Sequence, residues 1–162
     1  MPHLPPAFVL FCAACLTATG TASGEATVSF ELDVQPILTS HGCNAGACHG
    51  KQRGQNGFQL SLLGFDPDFD YTAITKSARG RRVFPASPQR SLLLLKPSGG
   101  LPHGGGQLLE PSGEDYATLH RWISQGLPRR VDNEPALTAV RVDPTELSLQ
   151  QREAAQLPVV EN

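Results

Sequence analysis

A basic excess is missing: 13 Lys and Arg stand against 15 Asp and Glu, a formal charge of −2 over 162 residues. Surfaces that bind nucleic acid normally show as a basic surplus or stripe, so no nucleic-acid partner is expected. Aromatic residues make up only 6% of the chain, which leaves few large side chains for a core. Methionine occurs once, at Met1, and no internal repeat is present. No nucleophile, acid–base pair or phosphate loop stands out, so no enzymatic activity is expected. The apolar run "AFVLFCAACLTA", residues 7–18, falls short of the about 20 residues that a spanning helix needs.

Glycine (16) and proline (14) are abundant instead, which implies a loop-rich chain whose missing apolar volume a bound cofactor would supply. The apolar run followed by the small residues "TGTASG" has the form of a secretory leader, although "MPHLPP" before it carries no Lys or Arg. Residues 1–24 are read as a cleaved signal peptide, which places the protein in the periplasm or cell envelope with no integral membrane span left after cleavage. A lipid-modified Cys15 is disfavoured because Cys12 stands where a lipobox needs an aliphatic residue. Cys12 and Cys15 are then apolar members of the leader. Only Cys43 and Cys48 remain, in a compartment that permits a disulfide or covalent cofactor attachment.

Phe30, Val34, Ile37 and Leu38 follow helical spacing, with Ser29 or Asp33 as cap, Pro36 in the first turns and Gly42 as stop. Phe58, Leu60 and Leu62 alternate, consistent with a short extended segment or an irregular loop. Residues 69–75 predict a helical turn, and residues 98–107 form a glycine loop around His103. "SGEDYATLHRWISQGLP" predicts a helix over 113–125: Ser112 as N-cap with Asp115 three residues on, an apolar stripe of Tyr116, Leu119, Trp122 and Ile123, then Gly126 and Pro128. After about residue 130, Val140 and Val142, Leu147 and Leu149, then Leu157 and Val159 alternate in β fashion around a turn at Asp143-Pro144.

The segment "HGCNAGACHG", residues 41–50, carries the chemistry. Covalent haem attachment needs two thiols that reach the ring's vinyl groups and an imidazole from the same turn for the iron, usually written C-x-x-C-H. Here four small residues separate Cys43 from Cys48, so the loop must bulge, and Gly46 offers positive φ at little cost. His49 still follows the second cysteine directly. Two rivals stay open: a Cys43–Cys48 disulfide, and a zinc site of Cys43, Cys48, His49 and His103. The zinc reading is strained, because adjacent residues project in different directions. Haem avoids this, since thiols take the ring edge and the imidazole takes its centre.

With no methionine in the mature chain, the iron's other face falls to a histidine. His41 is too near the attachment turn, and His120 belongs to the last helix. His103, in its glycine loop, is the expected second axial ligand, giving bis-His iron. Arg79, Arg81 and Arg82 are candidates for the haem propionates, with a solvated basic turn as the plain alternative.

The blocks "LDVQPILTSHGCNAGACHGK", "GFQLSLLGFDPDFDY", "ARGRR", "SLLLLKPSGGLPHGGG" and "LHRWISQGLP" resemble the planctomycete-type cytochrome c-like domain of large exported proteins, over about residues 28–128. The resemblance implies thioether links at Cys43 and Cys48 and His49 as proximal ligand. It puts His103 where related domains carry a methionine. "LTAVRVDPTELSLQQREAAQLPVV" resembles the opening strands of a bacterial Ig-like domain, short of a full sandwich of about seven strands.

The expected architecture is therefore mostly α: a small class I-like cytochrome c fold over 28–130, its N- and C-terminal helices packed around one haem. Residues 131–162 form a linker and a short, incomplete β tail, expected to be disordered or partner-dependent, as in the N-terminal piece of a longer protein. The expected function is electron transfer by one covalently bound haem c to an unidentified redox partner protein. The alternatives are a disulfide-stapled binding module without haem, and a haem-based gas or redox sensor.

Overall fold

A computed structural model describes residues 25–50, 52–136, 138–142 and 159–161. The expected leader, with Cys12 and Cys15, lies outside them, as do the Asp143-Pro144 turn and the alternating Leu147, Leu149 and Leu157.

Both candidate caps act at the first helical segment. The Ser29 hydroxyl accepts from the Leu32 N–H, and the Asp33 carboxylate accepts from the Ser29 N–H at 2.6 Å, opening a wide π-type turn over Phe30–Val34. It runs into α1 (Gln35–Ser40), whose first turn holds Pro36, where a missing N–H breaks no helical bond. Gly42, at φ +67°, ends the run. Phe30, Val34, Ile37 and Leu38 are all buried, as their spacing required.

The alternating segment at 58–62 is not a strand. Phe58 makes one isolated bridge with Gln55, and Leu62–Gly64 is a 3₁₀ turn in which Leu63 takes φ 54°. Leu60 is buried while Leu62 is 55% exposed, so the apolar alternation does not line one face. Its backbone is sewn to the cysteine loop instead: the Leu60 N–H donates to the His49 carbonyl and the Leu63 N–H to that of Asn44. The turn expected at 69–75 is a nine-residue helix, α2 (Pro67–Thr75), capped by Asp66. One short turn, α3 (Leu92–Leu95), precedes the glycine loop.

The last helix, α4 (Glu114–Ser124), stands where the spacing put it, but its cap differs from expectation. Gly113, not Ser112, is the N-cap and makes no side-chain bond. Asp115 does not close a capping box, because its carboxylate lies 2.7 Å from His41 Nε2. At the other end Gly126 takes φ +85°, and the N–H groups of Gly126 and Leu127 close onto the carbonyls of Ile123 and Trp122.

Three aromatics, Phe30, Tyr71 and Trp122, cluster where these ends meet. Phe30 lies 5.6 Å from Trp122 and 5.4 Å from Tyr71, edge-on to the latter. The Trp122 indole N–H donates to the Pro128 carbonyl and the Tyr71 hydroxyl to that of Leu127, so neither polar tip is stranded. Trp122 is 0% exposed, so Trp122→Ala is expected to cost about 3–5 kcal/mol. Urea denaturation checks this, and a change under 1 kcal/mol (about one methylene's worth) would contradict the packing.

Beyond the helical body, β1 (Val140–Val142) pairs antiparallel with β2 (Val159–Glu161), Val140 opposite Glu161. The expected β pattern at Val140, Val142 and Val159 falls on this ladder. The described chain is thus mostly helical, and no helix among the described residues is long and apolar enough to cross a membrane.

Candidate functional site

The cysteine loop grows directly from the end of α1. The Cys43 N–H donates to the Leu38 carbonyl at 2.8 Å. The next N–H groups then coil the loop on itself: Ala45 to Gly42, Cys48 to Ala45, His49 to Cys43 and Gly50 to Ala45. Expectation placed the needed glycine at Gly46, but Gly46 is not among the residues of positive φ. The demand falls on Gly50, where a Cβ would meet the Asn44 carbonyl oxygen at 1.9 Å. Asn44, which looks like a spacer in the sequence, is fully buried, and its amide donates to Thr39 Oγ1 at 2.8 Å, pinning the loop to α1.

His49 leaves this knot with a fixed ring. Its Nδ1 lies 2.9 Å from the Phe58 carbonyl. A carbonyl can only accept, so Nδ1 carries the proton and Nε2 holds the lone pair. Phe58 packs against the ring at 4.5 Å, and Arg82 lies over the other ring of that pair, 4.3 Å from the Phe58 centroid. His103 is arranged the same way from a different segment, with Nδ1 2.9 Å from the Gly106 carbonyl. Gly105 makes room for it: a Cβ there would come within 3.1 Å of His103 Cε1. The two imidazoles face each other with centroids 6.4 Å apart and planes within 12° of parallel.

Between them opens a cavity of about 660 Å³ that also reaches Cys43, Cys48 and His41. Its walls include the buried Leu38, Leu60, Leu93, Leu109 and Leu119, so the hollow interrupts the hydrophobic core itself. A leucine-lined hollow of this volume suits a large apolar occupant.

Cys43 and Cys48 are free thiols, half-buried and not joined to each other. Burial, reinforced by the charge of Cys48, pushes the Cys43 thiol up to about 11. It is therefore protonated at neutral pH, unlike an activated nucleophile or a thiolate ligand. In the folded chain with both thiols free, alkylation of Cys43 should remain slow at pH 9 and rise only toward pH 11, whereas the urea-unfolded chain should react through pH 9. Peptide mapping of the labelled cysteine checks this, and equal folded and unfolded profiles would contradict the burial. Among the described residues, no three His, Cys, Asp or Glu side chains gather to hold a metal ion between them.

The three arginines separate. Arg79 is exposed, at φ 61°, and does not line the cavity. Arg81 is exposed at the cavity wall. Arg82 also lines it but is only 7% exposed, and its guanidinium donates to the carbonyls of Ala73, Ser77 and Gly57 at 2.9–3.0 Å. Burial lowers its pKa from the usual guanidinium value. Arg82 is a staple across three loops.

Two wall residues escaped sequence reasoning. Lys96, at the end of α3, lines the cavity and donates from Nζ to the Pro102 carbonyl at 3.0 Å. His41 ties the attachment loop to α4 through Asp115. Neither carries a signal in one dimension, since each gains its place only when distant segments meet. No protein-family model, curated protein or solved structure matches the chain.

Proposed function

We propose that this chain is an exported c-type cytochrome domain that carries electrons on one covalently attached haem. The observation that carries the reading is the facing pair of His49 and His103 across a leucine-walled cavity that also presents both thiols. His49 and His103, with ring centroids 6.4 Å apart and planes within 12° of parallel, are the residues that would hold the iron. In both rings the proton sits on Nδ1, held by a carbonyl, which is how iron- and zinc-bound histidines are oriented.

When bound, the haem supplies an iron that takes up and releases one electron. The chain's residues do the rest. Cys43 and Cys48 would hold the ring edge by thioethers, and His49 and His103 would hold the iron. Arg81 and Lys96 offer positive charge at the wall for the propionates, a role Arg82 shares less, being committed to carbonyls. The leucine walls exclude water. Two imidazoles favour a lower potential than a histidine–methionine pair would.

The zinc reading finds less support, because the four donors it needs do not cluster and Cys43 favours the thiol form. The class I-like cytochrome c fold is part of this proposal, supported by the packing of the Phe30 turn and α4 beside the cavity. So are the resemblance to the planctomycete-type domain, the leader at 1–24, and a redox protein as partner. The protein, made with its leader in a host that attaches haem, should show the sharp reduced-state bands of low-spin c-type iron and a reversible one-electron couple. Purified material that cannot be reduced and reoxidised reversibly would overturn the electron-carrier reading.

A further inference from the structure

The two histidines that face each other are anchored very differently. His49 is held by three bonds from two segments: its N–H donates to the Cys43 carbonyl in its own loop, while its carbonyl accepts from the Leu60 N–H and its Nδ1 donates to the Phe58 carbonyl. His103 has a more local anchorage. Its Nδ1 donates to the Gly106 carbonyl and its own carbonyl accepts from the Gly106 N–H, so both bonds lie within one four-residue turn.

That turn stands on a pinned base. The Leu101 N–H donates to the Leu95 carbonyl, and the N–H groups of Leu108 and Leu109 both donate to that of Pro97. Past the base, Pro102, Gly104, Gly105, Gly106 and Gln107 are exposed, and a Cβ at Gly104 or Gly106 would touch nothing within 4 Å. Gln107 bonds back to Leu109 and Glu110 beside the base, and among the described residues one bond ties the tip across to α3: Lys96 Nζ to the Pro102 carbonyl, 3.0 Å and exposed. The His103–Gly106 turn can therefore rotate outward as a unit, keeping both internal bonds and giving up only the Lys96 tie.

We infer that the His103 side of the site opens reversibly and that a small neutral diatomic molecule takes the place of the imidazole there. The inference rests on the proposed bis-His haem. The ligand class follows from the walls: leucines such as Leu92, Leu93 and Leu108 penalise an anion's desolvation but not a neutral diatomic's. A tethered His103 competes as an internal ligand at roughly millimolar effective concentration, so only a ligand with higher affinity for the iron displaces it. His49, held by three bonds that tie its loop to the 58–60 segment, stays.

Carbon monoxide is the probe, mixed by stopped flow with the reduced holoprotein after its mass and low-spin spectrum have been recorded. The expected result is a shifted Soret band. Its formation rate should level off as carbon monoxide rises, because departure of His103 becomes limiting. Lys96→Ala should raise that plateau by about 2–5-fold, the worth of one exposed hydrogen bond. His103→Ala should remove the plateau and leave a rate proportional to carbon monoxide. A wild-type spectrum unchanged by carbon monoxide, with His103→Ala still binding it, would overturn the inference while leaving the electron carrier standing. A plateau unmoved by Lys96→Ala would overturn the hinge. A bare-chain mass, or a low-spin His103→Ala protein, would instead overturn the site reading beneath it.

Discussion

His103→Ala is expected to convert the iron from low spin to high spin while leaving the haem attached. Among the described residues, the side chain removed is the only histidine that faces His49 across the cavity, 6.4 Å away and nearly parallel. His103 is only partly buried and is not a member of the hydrophobic core cluster. The fold should therefore persist, with thermal stability of the haem-free chain within about 0.5 kcal/mol, as for a surface substitution. Optical and electron paramagnetic resonance spectra read the change. A low-spin spectrum that survives would assign the ligand to another residue. His41, already at the wall but held by Asp115 at 2.7 Å, is the one to test next.

The second large effect concerns attachment. Replacing both Cys43 and Cys48 by serine should leave a chain from which acidified solvent strips all haem, where the unaltered protein should release none. Each thiol lines the cavity, and the loop that presents them is coiled by its own backbone bonds, so serine fits the same space. Single substitutions should each leave one thioether and an intermediate yield. His49→Ala acts differently: it removes the ligand between the loop and the iron, and the bond to Phe58 with it. Haem retained after stripping of the double serine variant would contradict thioether attachment.

What could be read from the sequence was local. The helical spacing of Phe30, Val34, Ile37 and Leu38, and the stripe of Leu119, Trp122 and Ile123, placed buried faces correctly because period and capping act over a few residues. The expectation that Cys43, Cys48 and His49 act together comes from their spacing, and that for His103 from the missing methionine; the fold brings all four to one cavity. The errors came where distant segments compete for the same group. Asp115 serves His41 instead of a helix cap, and the apolar alternation at 58–62 yields to bonds with the cysteine loop. Gly50 rather than Gly46 is the glycine the loop requires, since only the folded loop brings the Asn44 carbonyl against it. Arg82 in "RGRR" reads as a propionate contact or part of a solvated turn, and it is a buried clamp on three carbonyls.

The most direct check is the intact mass of the mature protein purified from a host able to attach haem. The account predicts the mass of the leader-free chain plus one haem, unchanged by denaturation, with the modification mapped to Cys43 and Cys48. A colourless protein with the mass of the bare chain would contradict it.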